Sequence, residues 1–239
     1  MIDQYKDYKI IKYSGNAISI EWKIQNFQID FTRKLQVFIN YLKKNNDNIL
    51  YITPTFDSLL IRFKNPVNLN AAQEIIENKL QNFKAKSEDS INARTFQIPV
   101  CYEFGEDLET IANYSKLSII DVIEIHSNQI YNIHFIGFLP GFLYLGEVDE
   151  AIQIPRKKTP RLEVKKGSVG IAENQSGIYS SNSPGGWQIV GKTPIEIFNA
   201  NQNPPSKFLP GDQVKFHQIS KSKYAQLLKD QPKLKPEND

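Results

Sequence analysis

One cysteine, Cys101, stands among 239 residues. No intramolecular disulfide can form, which permits a reducing compartment. Cys101 lies in an apolar run and reads as core. Histidine is nearly as sparse. His126, His134 and His217 are the only three, and no close-spaced His/Cys pair offers a metal site. No run approaches the ~18 apolar residues of a membrane span. The opening MIDQYKDYKI has acids and no apolar core, so no signal peptide is expected. Strong charge of one sign is also missing. The net charge is +3 and the lysine pairs at 43–44, 157–158 and 165–166 are short, whereas a nucleic-acid footprint needs a clustered basic face. These absences lead to a soluble, cytoplasmic chain with no metal, membrane or nucleic-acid partner. Arginine is the last scarcity: Arg33, Arg62, Arg94, Arg156 and Arg161 stand against 24 lysines. Each therefore draws attention as a planar fork.

What is present has two textures. Residues 8–13 and 17–22 predict strands around a turn at 14–16. Residues 30–44 have helical spacing, with Asp30 as N-cap. A second strand pair, 49–53 and 58–63, surrounds Pro54, and helical spacing returns over 70–83. The order ββαββα implies a two-layer α+β lobe over 1–90. The polar stretch 84–92 reads as a linker. Next come a strand at 95–102 and helices near 107–115 and 118–127, the second placing Ile119, Val122, Ile123 and His126 on one face. Nine of the twelve glycines then fall between 137 and 191. Short apolar runs punctuated by Gly and Pro (IQI, SVGIA, GIY, WQIVG, IEIF) predict a barrel or sandwich with long shaped loops. The domain reading is thus 1–90, 91–228 and a disordered tail at 229–239.

Four stretches carry candidate chemistry. GFLPGFLYLG at 137–146 combines the apolar residues of a buried strand with the Gly and Pro of a loop. In IPRKKTPR, Pro155-Arg156 and Pro160-Arg161 place two forks behind rigid residues, suited to a carboxylate or phosphate; the other reading is two surface arginines at loop corners. In ENQSGIYSSNSPGGWQIVGKTP, Gln175, Tyr179 and Ser183 are neutral donors and acceptors. Gly185 and Gly186 allow close backbone approach, and Trp187 is either an apolar wall or a core residue. The segment is not a phosphate loop, since Pro194 follows Gly191-Lys192-Thr193. LPGDQVKF at 209–216 is a turn into a last strand. His126 is either a general base or a partly buried helix-end histidine. No nucleophile elbow is present.

IPVCYEFGEDLETIA, HSNQIYNIHFIGFLPGFLYLG and PRKKTPRLEVKKGSVGIAENQSGIYSSNSPGGWQIVGKTP together resemble the signature blocks of the family of 5-oxoprolinase B subunits, which includes the kinase A inhibitor KipI. The family is similar to half of the carboxyltransferase domain of urea carboxylase. GNAISIEW and PTFDSLLIRF extend the resemblance over nearly the whole chain. It implies an α+β fold with an N-terminal two-layer lobe and a C-terminal cyclophilin-like β-barrel. It also implies partners, the A and C subunits of 5-oxoprolinase, with which the family opens 5-oxo-L-proline to L-glutamate using ATP. The alternative it implies is a regulator that binds and inhibits a sensor histidine kinase. On this resemblance His126 and Arg161 are the catalytic candidates. Arg156, Gln175, Tyr179, Ser183, Gly185, Gly186 and Trp187 are expected to bind substrate. Phe138, Pro140, Gly141 and Phe142 are expected to line an interface or pocket wall. One departure matters: Glu173 and Asn174 stand where the family has two glycines.

Overall fold

The apolar periods of the first ninety residues become four strands and two helices. The computed structural model describes residues 7–13, 15–24, 29–83, 93–232 and 234–236. Its first part holds β1 (Tyr8–Tyr13), β2 (Ala17–Trp22), α1 (Ile29–Lys44), β3 (Ile49–Pro54), β4 (Ser58–Phe63) and α2 (Leu69–Asn82). The strands form one antiparallel sheet in the order β1-β2-β4-β3. Ile18, Ile20 and Trp22 of β2 join Leu59, Ile61 and Phe63 of β4 in a core that includes Phe31, Leu35, Phe38 and Leu42 of α1 and Ile76 and Leu80 of α2. Each large side chain fully buried in this way contributes about 1.5–3 kcal/mol. Two helix starts differ from expectation. Asp30 lies inside the first turn of α1, paired with Lys34 one turn on, rather than ahead of it. The second helix, α2, opens at Leu69 rather than at 70, and Asn68 caps it: its Oδ1 accepts from the amides of Asn70 and Ala71 at 3.0 and 3.3 Å.

The chain divides into two compact units, Met1–Asn92 and Ala93–Asp239. The stretch 84–92 read as a linker lies outside the described residues. The second unit contains β5 (Thr95–Val100), α3 (Leu108–Ser115), α4 (Ile119–Asn128), β6 (Ile130–Ile136), β7 (Leu143–Gly146) and β8 (Arg161–Val164). It continues through β9 (Ser168–Ala172), β10 (Gln175–Ile178), β11 (Ser183–Gly185), β12 (Gln188–Lys192), β13 (Gln213–Gln218) and α5 (Lys221–Asp230). Seven strands make one curled, half-barrel sheet in the order β12-β9-β10-β7-β6-β13-β5, and β8 and β11 form a separate ribbon. The pairing is antiparallel except between β13 and β5. The two edges of the curl meet at a single bridge. Cys101, one residue past β5, exchanges backbone hydrogen bonds of 2.8 and 3.1 Å with Lys192 at the end of β12. The lone cysteine is therefore buried at the seam.

Some local readings change. The alternation of IEIF over 195–198 forms no strand, although Ile195 and Ile197 are buried. The tail expected to be disordered from 229 is ordered further: α5 runs through Lys229 and Asp230, and Ser220 Oγ caps its start. Beyond it, Leu234 packs against the core and its carbonyl accepts from Lys207 Nζ at 3.1 Å. Tyr224 explains the docking, because its ring is the one buried side chain of α5. No described helix is long and apolar enough to cross a membrane.

Candidate functional site

A carboxylate that the sequence reading passed over organises the site. Asp107 precedes α3 at the N-cap position, yet its side chain makes no capping bond. It turns inward instead and is 3 % exposed. Its oxygens accept from Arg161 Nη2 at 2.7 and 2.7 Å, from Lys157 Nζ at 2.7 Å and from the amide of Ile189 at 2.6 Å. Burial pushes this carboxyl up, but the bonds from Arg161, Lys157 and Ile189 outweigh it and hold it below the usual carboxylate range. Arg161 is correspondingly fixed. Its Nε pairs with Glu106 at 3.2 Å and its Nη1 donates to the Trp187 carbonyl at 3.4 Å. The structure places Arg161 as a strut with its whole fork engaged, rather than as a free anion receptor.

What the strut supports is an aromatic shelf. Trp187, Phe142 and Tyr179 pack with Val164, Ala172 and Ile189 as a small second core. Phe142 meets Trp187 edge-on at 5.4 Å and Tyr179 at 5.0 Å. The Tyr179 hydroxyl receives the backbone N–H of Trp187. Gly185 is required here, since a Cβ would stand 2.4 Å from that hydroxyl. The carbonyl of Gly186 accepts from the amide of Lys157 at 2.7 Å, tying the two candidate loops together. Arg156 is exposed, with its guanidinium carbon 5.9 Å from the Trp187 ring centre, a cation–π geometry. Ser183, opposite Val164 in the ribbon, has a buried hydroxyl with no hydrogen-bond partner among the described residues. Gln175 opens β10 across from Gly146 and Ala172. The structure thus gathers Arg156, Arg161, Tyr179, Gly185, Gly186, Trp187 and Phe142.

The 137–146 loop satisfies both of its demands by splitting them. Phe142 is buried under the shelf while Phe138 is 64 % exposed, and Pro140 is exposed beside it. Gly141, at φ +80°, lies so close to Phe198 that a Cβ there would approach the Phe198 Cβ to 2.3 Å. Ser180 Oγ donates to the Pro140 carbonyl at 2.7 Å and pins the turn. At the other end of the block, Glu173 takes the left-handed conformation, φ +56°, in the two-residue link between β9 and β10. Asn174, the residue better suited to that conformation, does not.

His126 is placed elsewhere. It is fully buried on α4, stacked at 4.8 Å on Phe216 of β13. The Tyr102 hydroxyl lies 2.8 Å from Nδ1, and Ser176 Oγ lies 3.2 Å from Nε2. Burial drives its pKa down to about 3, so the ring is neutral. Tyr102 then donates to Nδ1 and Nε2–H donates to Ser176. Neither ring bond reaches Arg161 or Asp107, so the two catalytic candidates are not brought together. This is the setting of a core histidine bridging a helix to the sheet. Burial likewise lowers His134 to about 3. Among the described residues no group of three His, Cys, Asp or Glu side chains is placed to hold a metal.

Comparison with known proteins agrees with this architecture. Residues 8–208 match the family described as carboxyltransferase domain, subdomain C and D. The B subunit of 5-oxoprolinase from Bacillus subtilis is 48 % identical over 136 residues, 56 % of this chain and 57 % of that protein. The B subunit of 5-oxoprolinase from Escherichia coli O157:H7 is 38 % identical over 172 residues, 71 % of this chain and 78 % of that protein. The crystal structure of urea amidolyase from K. lactis shares the fold, with a TM-score of 0.75 at 17 % identity, covering 96 % of this chain and 16 % of that one. The alignment thus spans little more than half of the Bacillus protein and a small part of the amidolyase. The chain belongs to the carboxyltransferase-domain family, subdomains C and D, together with the B subunits of 5-oxoprolinase.

Proposed function

We propose that this chain is the B subunit of an ATP-dependent 5-oxoprolinase, which opens 5-oxo-L-proline to L-glutamate with ATP hydrolysis and acts only in complex with the A and C subunits. The observation that carries the reading is the shelf of Arg156 over Trp187, braced from beneath by Asp107 and Arg161. The substrate is a flat five-membered lactam with a carboxylate. Its carboxylate meets the exposed Arg156 fork, which the buried Trp187 ring holds in place. The unpaired Ser183 hydroxyl offers a further polar contact. A buried hydroxyl left without a partner costs about 1–3 kcal/mol, which a bound group recovers. A lactam is a stable amide, so coupling to ATP is expected to activate its oxygen before water adds to the ring carbon and the ring C–N bond breaks. ATP is assigned to the complex rather than to a residue of this chain, and the complex to the cytoplasm. The exposed Phe138 and Pro140 suit burial against a partner, as aromatic residues at interface cores do.

The test is reconstitution. The chain is co-expressed with candidate A and C subunits, and glutamate and ADP are measured against added 5-oxoproline. Arg156→Ala is expected to raise KM for 5-oxoproline about tenfold while changing kcat less, because a charge-assisted bond is worth about 1.5–3 kcal/mol. An assembled complex that makes no glutamate refutes the function. An active complex indifferent to Arg156→Ala refutes the site.

A further inference from the structure

The shelf rings are buried, and only the Arg156 fork above them is exposed; a concavity of the second unit lies elsewhere. A cleft of about 460 Å³ opens between the irregular 193–208 segment, α5 and the residues after it, and shares no lining residue with the shelf. Its size falls in the range of small-ligand pockets, about 300–1,000 Å³. Ile195, Ile197, Phe208, Leu228 and Leu234 provide apolar lining. Its charge is lopsided. Lys166, Lys192 and Lys207 line it against one acid, Glu196, which Lys166 already pairs with at 2.8 Å. Lys207 donates to the Leu234 carbonyl at 3.1 Å. The Lys192 ammonium has no ion pair or hydrogen bond to any described residue. Leu228 is half exposed at the cleft.

We propose that this cleft is a second binding site, for a small amphipathic carboxylate whose carboxylate meets Lys192 and whose hydrocarbon body lies along Ile197, Phe208 and Leu228. An unpaired ammonium beside apolar walls selects this chemistry: an amine is repelled, and an alcohol lacks the charge-assisted bond. The site does not depend on the enzyme reading, and its ligand need not be the substrate. The segment that forms one wall also carries Phe198, which packs on Gly141 of the 137–146 loop, so this segment adjoins both the cleft and that loop.

The test uses the full chain with octanoate, octanol and octylammonium as probes, titrated calorimetrically. Octanoate is expected to bind one site. Lys192→Met is expected to weaken it about tenfold, Lys192→Arg to retain it, and Leu228→Glu to abolish it by placing a like charge at the mouth. Both positions are partly exposed, so unchanged circular dichroism and Tm are expected to certify the variants. Failure of octanoate to bind the intact chain overturns the proposal. So does octanol binding as tightly, or octanoate binding that both Lys192→Met and Leu228→Glu leave unchanged.

Discussion

Asp107→Asn tests the keystone of the shelf with the smallest change of shape. The wild-type carboxylate accepts four hydrogen bonds and is 3 % exposed. The amide keeps one acceptor oxygen and sets an NH2 group against donors that cannot accept. Removing one partner of a buried ion pair costs about 3–5 kcal/mol. Here the side chains of Arg161 and Lys157 are 21 % and 28 % exposed, so water relieves part of that, and about 2–4 kcal/mol is expected. With a urea m-value of about 2 kcal/mol per M, the middle of the usual range, the unfolding midpoint should fall by about 1–2 M. The assay is tryptophan fluorescence in a Trp22→Phe background, where Trp187 alone reports the second unit. The sign with pH follows from the lowered folded pKa. The stabilisation is complete above the unfolded carboxyl pKa of about 3.9 and is lost as pH falls through the lower folded value. The gap between wild type and Asp107→Asn should hold from pH 7 to 5 and close below about 4. A midpoint shift under about 0.3 M at pH 7, with m unchanged, refutes the keystone.

Other expectations follow from neighbouring features. His126 is neutral when folded and titrates near 6.5 when unfolded, so acidification favours the unfolded chain. Its share of the stability lost between pH 7 and 5 is about 2 kcal/mol, and His126→Gln should flatten the measured slope by that amount; an unchanged slope contradicts the neutral ring. Gly141→Ala should destabilise by about 2–4 kcal/mol, combining left-handed strain with the collision on Phe198, read as a lower Tm. Glu173→Gly should do the reverse, raising stability by up to about 1 kcal/mol because its side chain sits at φ +56°. A loss of Tm in Glu173→Gly would show that its side chain contributes more than its backbone strain removes.

The strands and helices of the first unit were legible because each obeys one period and ends at turn residues. Tyr8–Tyr13, Ala17–Trp22 and Ser58–Phe63 fall where alternation places them. In the second unit the short runs SVGIA and WQIVG became β9 and β12, but IEIF did not become a strand. Its alternation reflects burial of Ile195 and Ile197 against an irregular path, and burial alone does not require a ladder partner. The shelf was partly legible: Arg156, Arg161 and Trp187 stood out as rare residues beside Pro and Gly. Asp107 did not, because an acid ahead of a helix has an ordinary explanation as a cap. Its partner Arg161 lies 54 residues away, and no local period reports such a pairing. A sequence signal existed only in the Gly105-Glu106-Asp107 turn, which places two acids together ahead of one helix. His126 was left with two readings for a related reason, since a stripe position looks the same whether it faces a cleft or a core.

The place of β13 bears on how the chain can be made and cut. It lies between β6 and β5, pairing Gln213 with Asn132 on one side and with Thr95 on the other. The match to the family ends at residue 208, before this strand begins. A fragment stopped there would leave β5 without its ladder and β6 with a bare edge in the middle of the sheet, the kind of edge that recruits other chains. During synthesis β5 emerges early and waits for a strand more than a hundred residues later, with little to hold it meanwhile. Long waits of this sort slow folding and expose aggregation-prone surface. The strand β13 is thus the wedge that joins β5 to the rest of the curl.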